Sequence, residues 1–246
     1  MKLTLLIFIL AISWSLPVAA KDGTTVLITG ANRGIGLELA KQYVAKGFQV
    51  IGTARKPTKA KALNALGVTV MQLDVTDPAS VAAMDKALDS KSIDILINNA
   101  GYLYRKEQTL AAVDFEQVER TLAINSIGPL RVIKALIDNL QSGQNKTVIN
   151  ISSNLGSIEN SRGGFYGYRA SKSALNMFNK NLSAEFAKQG FIFTVLHPGW
   201  VQTDMGGETA TLTVNESVTG LVKVISGLTT TDNGKFYDYT GKQLPW

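Results

Sequence analysis

Thr24-Thr-Val-Leu-Ile-Thr-Gly-Ala-Asn-Arg-Gly-Ile-Gly36 runs without a break into Leu37-Glu-Leu-Ala-Lys-Gln-Tyr-Val44. Val26, Leu27 and Ile28 form a short apolar run, as a parallel strand buried on both faces requires. Glycines follow at Gly30, Gly34 and Gly36, and then Ile35, Leu39 and Tyr43, with Ala40 and Val44, recur at helical spacing. A glycine triplet by itself also serves a plain βα turn. Between a buried strand and a helix it does more. The backbone N–H groups of the loop Gly30, Asn32, Arg33, Gly34, Ile35 and Gly36 then lie with a positive helix N-terminus where a pyrophosphate can sit.

The spacing Thr29-Gly30-x-x-x-Gly34-x-Gly36 is not the common G-x-G-x-x-G. It resembles the nucleotide loop of the short-chain dehydrogenases/reductases, and the resemblance extends over nearly everything after residue 24. From Thr24 onward, apolar strands alternate with helical segments: Gln49–Arg55, Val68–Val75, Ile93–Gly101, Thr147–Ser153 and Phe191–His197 read as strands two to six. The expected fold is α/β, a doubly wound, mostly parallel Rossmann-type sheet of about seven strands in one catalytic domain, residues 24–246.

Length and composition agree with one domain: 246 residues, 45% hydrophobic. The formal charge of +6 comes without an Arg/Lys tract interleaved with aromatics, so no nucleic-acid partner is expected. Without cysteine there are no disulfides, no thiol catalysis and no Cys-held metal; a single histidine disfavours a His-based metal site or hydrolase triad, and no metal is expected.

Residues 1–20 stand apart from this fold. Lys2 precedes the apolar stretch Leu3 to Ile12, and Val18 and Ala20 sit where a signal peptidase reads small residues, so a cleavable export signal is expected. An uncleaved membrane anchor and a buried helix are the competing readings. Export puts the body of the protein in a periplasmic or secreted location. A nicotinamide cofactor, regenerated in the cytoplasm, points to a cytoplasmic one.

The exit of the second strand offers Thr53, Ala54, Arg55 and Lys56, with no acid. Dinucleotide folds place a carboxylate here for the NAD ribose and arginine for the 2′-phosphate of NADP. Arg55, with Arg33 from the glycine loop, therefore favours NADP(H) over NAD(H). The family resemblance assigns Asp74 to the adenine amino group and Val75 to its ring, although an ordinary strand-end Asp looks the same. Asn98-Asn-Ala-Gly101 matches a family motif in which asparagines bind the sheet together while Ala100 and Gly101 let the cofactor approach; Asn99 ranks below the catalytic group. Pro198-Gly199 and Thr203 match the family's nicotinamide loop, where the threonine bonds the carboxamide and the Val201 backbone adds a contact.

Ser153, Tyr168, Lys172 and Asn125 form the expected catalytic group. Tyr168 and Lys172 stand at i and i+4 on one helix face. A phenol with a pKa of about 10 is a weak acid–base catalyst until a neighbouring ammonium, together with a positively charged nicotinamide ring, favours its phenolate. Tyr168 then gives a proton to the developing alkoxide, and Ser153 holds the carbonyl oxygen. Ser152 should face the other way along the strand, and Tyr166 has Ala170 at i+4 instead of a cation. Family members add a ribose contact from Lys172, and a helix distortion at Asn125 that exposes a main-chain carbonyl. Pro129, inside the helix expected over residues 114–139, supports such a distortion independently. His197 reads as structural, and Trp200, Tyr102 and Tyr104 as pocket walls or ordinary loop aromatics.

Within the family, Leu196 to Gly207, Gly234 to Gly241 and Leu244-Pro-Trp246 resemble the C-factor and Sniffer-type carbonyl reductases. That subgroup implies an NADPH-dependent carbonyl reductase acting on a small carbonyl or alcohol substrate, with a membrane contact only through an uncleaved N-terminus. The family's long helices leave room for a homo-oligomer. An exported C-factor-like signalling or binding protein, with turnover secondary, is the alternative.

Overall fold

A computed structural model describes residues 23–106 and 108–246; the stretch 1–20 read as an export signal lies outside them. In chain order the elements are β1 (Thr25–Ile28), α1 (Gly34–Ala45), β2 (Gln49–Ala54), α2 (Lys61–Asn64), β3 (Thr69–Gln72), α3 (Pro78–Leu88), β4 (Ile95–Asn98), α4 (Phe115–Leu122), α5 (Gly128–Ala135), α6 (Ile137–Gln141), β5 (Thr147–Ile151), α7 (Tyr166–Glu185), β6 (Ile192–His197), α8 (Val214–Gly227) and β7 (Phe236–Asp238). The strands form one seven-stranded sheet in the order β3-β2-β1-β4-β5-β6-β7. Every pairing is parallel.

Strand alternation divides the core into two. Val26 and Ile28 face one side, where Leu39, Ala40 and Tyr43 of α1 and Val218, Leu221 and Val222 of α8 cover them. Leu27 faces the other, packed with Val81 and Met84 of α3 and Val132, Ile133 and Phe193. Both faces are covered, which is why these strands are continuously apolar. Strand order reverses between β1 and β4, and such a switch point opens a crevice at the carboxyl ends of the two strands.

The helix expected over residues 114–139, interrupted at Gly128-Pro129, is divided there. Between α4 and α5 the chain makes a wide π-type turn over residues 123–127, in which the Gly128 N–H donates to the Ala123 carbonyl five residues back. Pro129 has no N–H to give the Asn125 carbonyl four residues earlier, so an α-helical bond is impossible there. Pro129 instead occupies the first turn of α5, where its missing donor is harmless. A Cβ at Gly128 would lie 2.8 Å from Val75 Cγ2, so this crossing admits only glycine.

The far edge of the sheet carries a folded-back tail. Leu244 N–H donates to the Phe236 carbonyl (2.8 Å). The Trp246 ring stacks on Phe236 at 5.5 Å, with Lys180 Nζ 5.8 Å from its centroid. The Trp246 carbonyl accepts from Ser157 Oγ (3.1 Å) and from Glu159 N–H (3.1 Å), which ties the tail to the segment after β5.

Candidate active site

The crevice between β1 and β4 is floored by glycine. Gly30 adopts φ +65 and Gly34 φ +53, both in the left-handed region. A Cβ on Gly30 would sit 3.0 Å from Ala100 Cα, so the two loops touch at backbone distance. Asn99 fastens them: its Nδ2 donates to the Thr29 and Gly30 carbonyls (3.0 and 3.1 Å), while Thr29 Oγ1 accepts from the Asn99 and Ala100 N–H groups (3.0 and 3.1 Å). Asn99 is thus a strut of the loop. Behind it, Asn98 Nδ2 donates to Asn150 Oδ1 and Asn150 Nδ2 to Asn179 Oδ1, both at 2.9 Å, a buried amide ladder from β4 through β5 to α7.

The fit of a dinucleotide is decided at the start of α1. No side chain caps its N-terminus, and no acid stands in its first turn. Its leading N–H groups and positive dipole end therefore meet no side-chain cap and no acid of the helix's own first turn, as a pyrophosphate site needs. At the exit of β2, Arg55 and Lys56 are exposed. Burial pushes the Asp74 carboxyl up, but bonds from the Thr76 hydroxyl and amide and the charge of Arg55 outweigh it and hold the group below its ordinary range. Asp74 Oδ1 is taken up by Thr76, N–H at 3.0 Å and Oγ1 at 2.7 Å. Val75 is buried against Gly128, and its carbonyl accepts from Arg131 Nη1 (2.6 Å). Arg33, read with Arg55 as a cation for the 2′-phosphate, pairs with Asp204.

On the other side of the crevice α7 carries Tyr168 and Lys172, both buried. Lys172 Nζ donates to the Ile151 carbonyl (2.7 Å) and lies 5.7 Å from the Tyr168 ring centroid. Burial pushes Tyr168 up to about 12, with the Ser153 hydroxyl pulling it back. Burial also pushes Lys172 down to about 8. Desolvation thus dominates at both groups, and the ammonium is directed at a backbone carbonyl.

The two serines differ in their partners. Ser152 Oγ donates to Asn176 Oδ1 (2.8 Å) inside the core, whereas Ser153 caps the turn 154–156, accepting from Leu155 N–H (3.1 Å), and bears on Tyr168. Asn125 is fully buried. Its Oδ1 accepts from Tyr102 N–H (2.8 Å) and its Nδ2 donates to the Tyr102 carbonyl (2.8 Å) and Ser171 Oγ (3.0 Å), so only its main chain is left for chemistry. Ser171 Oγ continues the line to the Tyr168 carbonyl (2.8 Å). Tyr166 is exposed.

The loop after β6 closes the site. Gly199 adopts φ +85 with Leu212 and Tyr239 against it, and Val201 bridges to Leu212. Pro198 accepts from Ser217 Oγ (2.6 Å). Thr203 Oγ1 accepts from Gly206 N–H (2.9 Å), and its methyl would lie 3.3 Å from a Cβ on Gly34, so this loop rests on the glycine loop. An open cleft lies along Gln202, Thr203, Asp204, Gly207 and Glu208. Sequence reading missed Asp204, Ser171 and Arg105, whose guanidinium donates to the Met205 carbonyl. Their partners lie far off in the chain, and no local pattern announces them.

A family profile described as short chain dehydrogenase matches residues 24–212. The C-signal of Myxococcus xanthus is 45% identical over 155 residues, covering 63% of this chain and 93% of the relative. Two solved structures, an NADPH-bound carbonyl reductase from chicken fatty liver and the carbonyl reductase Sniffer of D. melanogaster, each superpose with TM-score 0.84 at 34% identity, over 92% of this chain and 100% of theirs.

Proposed function

This chain belongs to the short-chain dehydrogenase family, and from that premise we propose that it is an NADPH-dependent carbonyl reductase of small ketones or aldehydes. The observation that carries the reading is the buried Tyr168–Lys172 pair beside Ser153, at the mouth of a crevice whose opposite wall is an uncapped helix N-terminus. The likeness to an NADPH-bound carbonyl reductase supports the cofactor, as do Arg55 and Lys56 at the exit of β2.

Bound NADPH supplies the hydride that reaches the carbonyl carbon. The protein manages the oxygen. Ser153 Oγ donates to the carbonyl oxygen and holds it toward Tyr168. Tyr168, raised to about 12, carries its proton at neutral pH and passes it to that oxygen as negative charge develops there. The phenolate left behind is stabilised by the Lys172 ammonium, which stays mostly protonated at pH 7 and is fixed by the Ile151 carbonyl. Asn125 holds Tyr102 and Ser171 in place, and Ser171 in turn holds the first turns of α7.

Tyr168→Phe removes the phenol hydroxyl and with it the transferable proton. Turnover of a carbonyl panel, followed by NADPH absorbance, should fall by about 10²–10⁴-fold with NADPH affinity unchanged. A variant within threefold of wild type sinks the assignment of Tyr168 as the acid.

A second reading, an exported signalling or binding protein, is favoured by the likeness to the C-signal and by the apolar stretch 1–20. Among the described residues no helix is long and apolar enough to cross a membrane. N-terminal sequencing of the mature protein tests export, and a product that retains Met1–Ala20 rules out cleavage. Equal biological activity of wild type and Tyr168→Phe would favour signalling over turnover.

A further inference from the structure

Arg33 and Asp204 lie 171 residues apart, yet Arg33 Nη1 stands 2.9 Å from Asp204 Oδ2. The pair joins the two loops that flank the crevice. Arg33 immediately precedes α1 in the glycine loop, and Asp204 follows Thr203, whose methyl group lies over Gly34. Both side chains are largely exposed, 70% and 77%, so the bridge is held by charge more than by packing. On the other side of the same loop, Arg105 donates to the Met205 carbonyl. Trp200 Nε1 donates to the Gly206 carbonyl (2.9 Å), which places an indole on the segment that both arginines hold.

We propose that Asp204 is a cofactor-selecting residue: its carboxylate competes with the 2′-phosphate of NADP for Arg33, so that the phosphate is bound only as this latch opens. The proposal rests on the NADP reading above. A 2′-phosphate brings close to two negative charges toward a guanidinium that already holds one. A carboxylate left beside that phosphate repels it, and exchange of one anion for the other removes the repulsion. Asp204 thus lowers affinity for the 2′-phosphorylated nucleotide and leaves the unphosphorylated one unaffected. Exchange also removes a charged tie between the glycine loop and the loop carrying Thr203 and Trp200, linking occupancy at the adenosine end to the loop over the nicotinamide end.

Adenosine 2′,5′-bisphosphate and 5′-AMP are the probes, titrated by tryptophan emission at low salt. With wild type, the bisphosphate should bind more tightly than AMP and shift the Trp200 emission, whereas saturating AMP should not. Asp204→Asn should bind the bisphosphate about two- to five-fold more tightly, the size of one exposed ion pair, with AMP affinity unchanged. Its emission before ligand should already resemble the bisphosphate-bound wild type. Asp204→Glu should restore the wild-type pattern, and the gain in Asp204→Asn should shrink as salt is raised.

An unchanged or weaker bisphosphate affinity in Asp204→Asn, with AMP unaffected, overturns the competition. The two readings separate cleanly. If wild type does not distinguish bisphosphate from AMP, the NADP assignment fails and takes the latch with it. If Arg33→Ala abolishes the distinction but Asp204→Asn leaves it unaltered, only the latch fails.

Discussion

His197 ends β6 with a buried Nδ1 that meets no hydrogen-bond partner. Burial pushes its pKa down to about 4 from 6.5, with Asp238 of β7 pulling the other way. The unfolded chain then binds the extra proton below pH 6.5, so stability is complete above that value and is lost as pH falls through 4. The full loss is roughly 3 kcal/mol. Urea midpoints of wild type should fall between pH 6.5 and 4, and His197→Gln should fall less; parallel curves would remove His197 from the account. The place of the imidazole at a strand end was legible. Its titration was not, since that depends on burial in the folded sheet, with Asp238 of β7 opposing it. The same limit applies at Tyr168: helical spacing announces the pair with Lys172, but the burial that raises one group and lowers the other belongs to the folded crevice.

At the scale of elements, the glycine loop was readable because three constraints coincide within thirteen residues: buried strand, positive-φ turn and close packing. Gly36 carries the last. A Cβ there would lie 2.4 Å from the Gly30 carbonyl oxygen and 2.5 Å from Asn99 Nδ2, atoms that the loop's own hydrogen bonds hold. Gly36→Ala should therefore cost about 1–3 kcal/mol in urea unfolding and weaken nucleotide binding. Gly227→Ala, where nothing lies within 4 Å, should be near neutral. Equal effects at both sites would mean that lost backbone freedom, not close approach, explains the loop. The distortion at Asn125 was half legible. Pro129 forbids the α-helical bond, but a kink, a break and a wide turn all satisfy that prohibition. The wide turn prevails because it also lets Gly128 meet Val75 and aims the Asn125 amide at Tyr102.

Across the whole molecule, the sheet was legible for a simple reason: strands covered on both faces must be apolar throughout, and connections between parallel strands are long enough to hold a recognisable helix. The three-residue edge strand β7 and the tail beyond it escape that logic. Both are defined by what they touch. Trp246 stacks on Phe236 of β7, while its carbonyl holds Ser157 and Glu159, a few residues beyond Ser153. The turn 154–156 between them is also pinned to α7, where Ser173 Oγ and Asn176 Nδ2 donate to the Gly156 carbonyl (2.9 and 3.2 Å). Loss of the indole removes the tail's anchor but no group of the crevice. Trp246→Ala should lower the melting temperature by roughly 3–10 °C, the equivalent of about 1–3 kcal/mol in a chain of this size. Carbonyl-substrate KM should rise with NADPH affinity unchanged, since the glycine loop lies on the other side of β4. If KM stays constant while the melting temperature falls, the tail stabilises the sheet edge alone, and the segment after Ser153 is held in register by α7 without it.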